Sequence, residues 1–291
     1  MIASRQNKTL KDIRRLRRSK GDPGGSAEPE QRGLALLEGP HLVVEALACG
    51  LTLDTVLAVP GFLAAPANAG LARALARQPA APIEVAPDLL DGLADADSPR
   101  GILAVARLPR PGVEGLPRVS QGTYLYIDGL QDPGNLGALA RVAEAAGAAG
   151  LALSPGCVHP NHPRALRASA GSLLRLPVAV GVEAAALAKH LAPRGAAKRL
   201  VPREPQETVR WAALVPRGGV DLYGSAFEPP EGALVLAVGA EGPGLSGALR
   251  ERADLLLTIP LQPPVESLNA VVAAALVLFE LRRRRQAPFV V

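Results

Sequence analysis

The chain has no apolar run long enough to cross a bilayer. Nothing reaches the ~18 or more uninterrupted residues that a membrane helix needs, and the densest stretch, Ala270 to Phe279, stops at four arginines, Arg282 to Arg285. No membrane partner is expected. The first twenty residues, MIASRQNKTLKDIRRLRRSK, lack the apolar h-region of a secretory signal. They are basic and almost free of acids, as an organelle transit peptide is, but the expected location is the cytoplasm. Two cysteines, Cys49 and Cys157, exclude a disulfide framework and agree with a reducing compartment. There is no G-K-[ST] phosphate loop. GNLGALA (134–140) lacks the G-x-G-x-x-G fingerprint, and the next strand, LALSPG, offers no acid to a ribose, so a dinucleotide-dependent oxidoreductase is disfavoured. CVHPNH (157–162) holds one Cys and two His with no second cluster at zinc spacing, so no metal is expected. No Ser-His-Asp set stands out, and GLSG is not a nucleophile elbow.

What is present is 291 residues, enough for two domains, with one strong charge asymmetry. Residues 1 to 20 carry eight cations, Arg5, Lys8, Lys11, Arg14, Arg15, Arg17, Arg18 and Lys20, against Asp12 alone, a net +7 where the whole chain carries +5. A basic arm on a nearly neutral body suggests a polyanion partner, because phosphate neutralisation releases counterions; a solvated tail is the plainer alternative. Residues 1–30 are therefore expected to be a basic arm and flexible loop, with Arg5, Lys8, Lys11, Arg14 and Arg15 as candidate contacts to a nucleic acid. Strand and helix patterns alternate over 31–108, through LALLEGPHLVVEALACG, DTVLAVP, AGLARALAR, APIEVAPDLLDGLA and GILAVARL. A Pro/Gly/Arg-rich linker is expected at 109–122. From 123 onward TYLYID, GLALS, LLRLPVAV, WAALVP, ALVLAVG and LLLTIP read as strands among helices, and residues 194–210 as a loop-rich excursion. Strands written as unbroken apolar runs imply an α/β fold with a covered parallel sheet.

In such sheets ligands bind beyond the carboxyl ends of strands. Three of these ends carry unusual sequence: DGLQDPGNLGALAR (128–141), GAEGPGLS (239–246) and IPLQPPVESLN (259–269). Together they resemble, in order and separation, the three motifs of the SpoU (TrmH) family of the SPOUT superfamily. RASAGSLLRLPV (167–178) is similar to that family's connecting segment, and LLEGPHLVVEAL with SPRGILAV resembles the substrate-binding domain that precedes it in many members. Two departures stand out: Pro263-Pro264 where a glycine is usual, and Val142 where a hydroxyl residue often follows the arginine.

The resemblance implies methylation of a ribose 2′-hydroxyl in RNA with S-adenosyl-L-methionine, on 23S rRNA or, alternatively, on tRNA. A catalytically silent RNA-binding protein of the same fold is the other alternative. It further implies a ribosomal-protein-like α/β domain followed by a parallel-sheet SPOUT domain (123–291) with a deep C-terminal trefoil knot, and a homodimer. Carried over residue by residue, Asn135, Arg141, Glu241, Ser267 and Asn269 are the expected catalytic set. Gly239, Gly244, Ile259, Leu261 and Leu268 are the expected cofactor contacts. Asn135 and Arg141, six residues apart, are expected on one side of a helix start, with Asn135 suited to an N-cap. Glu241 is expected to orient Arg141 or the ribose, or simply to pair with a basic neighbour. Ser267 and Asn269 also suit a helix start, and the arginines 282–285 suit its negative end, where they would also offer cations to RNA or a second subunit.

Overall fold

The computed structural model describes residues 1–19, 33–94, 100–192 and 209–285. The loop expected at 21–30, and all but the last two residues of the excursion expected at 194–210, lie outside them. The chain divides into two compact units, Met1–Pro109 with Val158–Arg175, and Arg110–Cys157 with Leu176–Val291.

In the first unit the basic segment is not a free arm. Lys8–Ser19 is a helix, α1, whose apolar residues recur every third position; Leu10, Ile13 and Leu16 are all buried. They pack in one cluster with Leu36, Leu57, Leu103 and Val105 from the sheet. Burying such a side chain is worth about 1.5–3 kcal/mol, so these residues hold the helix down while Lys8, Lys11 and Arg15 stay exposed and Arg17 donates to the Ala94 carbonyl at 2.8 Å. The sheet contains β1 (Leu34–Glu38), β2 (Leu53–Ala58), β3 (Ile83–Glu84) and β4 (Ile102–Arg107) in the order β1-β4-β2-β3. It is mixed: β4 is antiparallel to β1 and β2, and β2 is parallel to β3. Helix α2 (Pro40–Ala48) starts at the Gly39-Pro40 turn, with Gly39 at φ 86° and Pro40 at the first position, where its missing N–H costs nothing. α3 (Ala69–Leu75) and α4 (Pro87–Asp91) complete the alternation. Residues 158–175 join this unit through β1. Arg167 donates to buried Glu38 at 2.7 Å, and fully buried Asn161 donates to the carbonyl of Leu108 at 2.9 Å. Glu38 needs that cation, because an unpaired buried carboxylate is costly.

The second unit is built on a seven-stranded, wholly parallel sheet: β5 (Thr123–Asp128), β6 (Gly150–Leu153), β7 (Val178–Ala179), β8 (Val209–Leu214), β9 (Val220–Asp221), β10 (Ala233–Gly239) and β11 (Leu255–Thr258), ordered β7-β6-β5-β10-β8-β11-β9. LLRLPVAV is mostly not a strand. A single helical turn, α7 (Ser172–Arg175), follows α6 (Pro163–Ala168), and β7 keeps only two residues after Pro177. All but the first residue of the expected linker is part of this unit: Leu116 is buried in its core, and the Tyr124 hydroxyl donates to the Pro117 carbonyl and accepts from the Val119 N–H.

Helices α5 (Pro133–Ala145), α8 (Ala184–Leu191), α9 (Gly247–Arg252) and α10 (Ala270–Arg284) complete the unit; α5 and α10 pack together. Most of the closing arginines are engaged within the unit rather than offered outward. Arg282 donates to the Ala145 carbonyl at the end of α5, Arg284 to Phe227 and Leu222, and Arg285 to Gln121 and Pro230. Guanidinium forks suit such carbonyls, which would otherwise be left without donors.

Candidate active site

The chain leaves β5, β10 and β11 into the three unusual loops, and all three meet at one carboxylate. Glu241 Oε1 accepts from Asn135 Nδ2 at 2.9 Å and also from Asn269 Nδ2, joining residues 106 and 28 positions away. Glu241 Oε2 has no hydrogen-bond partner among the described residues. The expected pairing of Glu241 with Arg141 or another cation is therefore not formed; two side-chain amides take its place. Each amide is held by its own helix start. Asn269 is the N-cap of α10, its Oδ1 accepting from Val271 N at 2.9 Å. On α5 the cap is Asp132, not Asn135: Asp132 Oδ1 accepts from Asn135 N at 2.7 Å, with Pro133 at the first position. The cap thus fixes the backbone of Asn135 while its side chain reaches across to Glu241.

Arg141 stands apart. Six helical residues turn through about 600°, which leaves it roughly 120° around α5 from Asn135, so the two do not share a side. Arg141 is exposed and has no ion-pair or hydrogen-bond partner among the described residues. Ser267 is exposed in the loop before α10, as is the Pro263-Pro264 pair, whose peptide bond is cis.

Beside this cluster lies a cavity of about 250 Å³ whose lining includes Gly239, Gly244, Ile259, Leu261 and Leu268, with Glu241 and Ser267. The volume is near the lower end of small-molecule pockets, ~300 Å³. Sequence reading missed two contributors: Leu214-Val215-Pro216 at the end of β8, and Arg250 on α9. The first was hidden because nothing in the apolar run of β8 marks its end as a wall of the cavity. The cavity owes its floor to a tight turn. The Gly244 N–H donates to the Ala240 carbonyl at 3.0 Å, and Gly242 and Gly244 sit at φ 86° and 70°. A Cβ on Gly239 would fall 2.1 Å from the Gly244 carbonyl carbon, so only glycine fits there.

CVHPNH is otherwise occupied. The His162 ring caps α6 by accepting from Arg164 N, the His159 ring accepts from Asn161 N, and Cys157 donates to the Ile127 carbonyl. Among the described residues no three His, Cys, Asp or Glu side chains are grouped to hold a metal ion, and no helix is long and apolar enough to cross a membrane.

The chain is similar to known proteins over both units. Residues 122–279 match the model of the SpoU rRNA Methylase family, and residues 7–104 match the MRM3-like substrate binding domain. The second match includes all of α1. An uncharacterized tRNA/rRNA methyltransferase of Synechocystis is 32% identical over 98% of this chain and 94% of its own length. The 23S rRNA (guanosine(2553)-2′-O)-methyltransferase of Bacillus subtilis is 28% identical over 97% of this chain and 98% of its own. Among solved structures, the SpoU methyltransferase AviRb of Streptomyces viridochromogenes, in complex with AdoMet, superposes with a TM-score of 0.81 at 25% identity, over 97% of this chain and 99% of that one. With its motifs at the ends of β5, β10 and β11 and an MRM3-like domain in front, the chain belongs to the SpoU rRNA methylase family of RNA ribose 2′-O-methyltransferases.

Proposed function

We propose that this protein transfers a methyl group from S-adenosyl-L-methionine to a ribose 2′-hydroxyl of large-subunit (23S) ribosomal RNA, in the cytoplasm and without a metal. The observation that carries the reading is the Asn135–Glu241–Asn269 cluster at the edge of a glycine-floored cavity. The cavity fits the cofactor in kind. Leu214, Val215, Ile259, Leu261 and Leu268 supply apolar walls for an adenosine, and the turn at Gly239 to Gly244 supplies exposed backbone. Bound there, S-adenosyl-L-methionine supplies an activated methyl group on a sulfonium.

The remaining difficulty is the nucleophile, an alcohol almost wholly protonated near neutral pH. Glu241, steered by the two amides, keeps Oε2 free to accept a hydrogen bond from the ribose hydroxyl and so to orient it. Ser267, at the mouth of the same cavity, offers a second hydroxyl contact to the ribose. Arg141 is the cation for the charge developing on the ribose oxygen and for a neighbouring phosphate; a guanidinium stays charged in proteins, which suits stabilisation better than proton removal. On the first unit Lys8, Lys11 and Arg15 face solvent along α1 and offer phosphates a row of cations. Arg5 precedes the helix, and Arg14, from its middle, reaches back to donate to the Arg5 carbonyl. A homodimer is supported by an exposed apolar stripe on α10, Val272, Leu276 and Phe279, spaced four and three residues apart. A trefoil knot, with the C-terminal segment threaded through a loop, belongs to the same reading.

The test is methyl transfer from labelled S-adenosyl-L-methionine to purified rRNA and tRNA, followed by alkaline hydrolysis, which a 2′-O-methyl group resists. Label in hydrolysis-resistant dinucleotides of 23S rRNA is expected. Label confined to tRNA overturns the substrate, and no label in either RNA overturns the reaction.

A further inference from the structure

Among the described residues the lining of the cavity contains two charged side chains, and one of them, Glu241, has an oxygen already taken by two amides. The other is Arg250. It lies four residues beyond the second sequence motif, which ends at Ser246, and it has no hydrogen-bond or ion-pair partner among the described residues. Its position is nevertheless fixed. The start of α9 is tied to the end of β5, with Ser246 N donating to Asp128 Oδ2 at 3.0 Å. Leu249, the preceding residue, is buried in the sheet's core cluster, and Arg252, two residues on, stacks over the Trp211 ring at 5.1 Å. With its neighbours anchored on both sides, Arg250 is held over the turn that floors the cavity: a Cβ on Gly244 would lie 3.3 Å from its Nη2.

A cation at the rim of a cavity walled mainly by apolar residues selects for an anionic group, and Arg250 is that cation among the described residues of the lining. S-adenosyl-L-methionine brings one anionic group, the carboxylate of its methionine part. A guanidinium fork matches a carboxylate with two parallel N–H donors. We propose that Arg250 binds that carboxylate and thereby selects an amino-acid-bearing nucleoside over a plain thioether nucleoside. This rests on the cofactor reading above and deepens it, assigning to a residue outside the three motifs the recognition of the end of the cofactor that does not react.

Calorimetry on the full chain with two nucleosides separates these ideas. S-adenosylhomocysteine carries the carboxylate; 5′-methylthioadenosine has the same adenosine and thioether without it. Arg250→Gln is expected to weaken S-adenosylhomocysteine about tenfold, the scale of one partly exposed charge-assisted contact, and to leave 5′-methylthioadenosine unchanged. Arg250→Lys, which keeps the charge without the fork, is expected to recover part of the loss. The difference should shrink as salt is raised. Equal weakening of both nucleosides, no weakening of either, or a defect seen only in RNA affinity overturns the proposal. Binding of neither nucleoside by the unaltered protein overturns the cofactor reading itself.

Discussion

Asn269 performs two tasks with two atoms, and substitutions can separate them. Its Oδ1 caps α10 by accepting from Val271 N, and its Nδ2 donates to Glu241. Asn269→Ser retains a capping oxygen but is too short to reach Glu241; Asn269→Ala loses both. A cap is worth about 1 kcal/mol. In a unit of this size that corresponds to a melting temperature about 2–4 °C lower for the alanine variant than for the serine variant. Both variants lose the same donor to the carboxylate. Hydrogen bonds to charged groups contribute ~1.5–3 kcal/mol, and an exposed one sits at the low end. At tenfold in rate per ~1.4 kcal/mol, kcat should fall about tenfold in both. Thermal unfolding and single-turnover methyl transfer to 23S rRNA give the two readouts. A serine variant as active as the unaltered protein, or activity that tracks melting temperature across the pair, would refute the assignment of the amide to catalysis.

Gly239→Ala forces a Cβ to 2.1 Å from backbone that no rotamer can move away, so a loss of about 3 kcal/mol and of S-adenosylhomocysteine binding is expected by melting and calorimetry. Gly247→Ala, with nothing within 4 Å, should change neither. Glu280 is held at about 2 by hydrogen bonds from Arg283 and Arg284, which outweigh the burial that acts the other way. Its contribution to stability is present above its ordinary value of 4.5 and is lost as pH falls through about 2. Glu280→Gln should therefore lower the urea midpoint at neutral pH and flatten its decline between those two values; an unchanged profile would contradict the pairing. Lys8→Glu with Lys11→Glu, both on exposed positions of α1, should leave the melting temperature within about 1 °C, weaken rRNA binding and reduce its salt slope by about two. An unaltered slope in filter binding would remove α1 from the RNA interface.

The parallel sheet was legible because its strands are unbroken apolar runs, and the three loops were legible because glycine, proline and amide residues crowd strand ends that otherwise read as aliphatic. What the residues meet was not legible. Glu241 is four residues from Leu245 and 106 from Asn135, and only the juxtaposition of β5 with β10 selects an amide over a cation as its partner. The side of α5 that carries Arg141 follows from helical rotation alone and was within reach of the sequence. So was α1: Leu10, Ile13 and Leu16 repeat at a spacing of three, but eight cations around them make the segment look like a tail. LLRLPVAV misled for the opposite reason, since apolar content over eight residues does not distinguish a helical turn followed by Pro177 from a strand.

The docking of α1 changes what a deletion at this end of the chain can mean. Removing residues 1–19 to probe the role of the positive charge would also take Leu10, Ile13 and Leu16 out of a packed cluster and uncover Leu36, Leu57 and Val105 beneath them. A truncated protein that failed to bind RNA, aggregated or expressed poorly would thus report a broken core rather than a missing electrostatic contact. Any segment joined just ahead of Lys8 sits next to a helix whose apolar residues are packed into the core of the first unit.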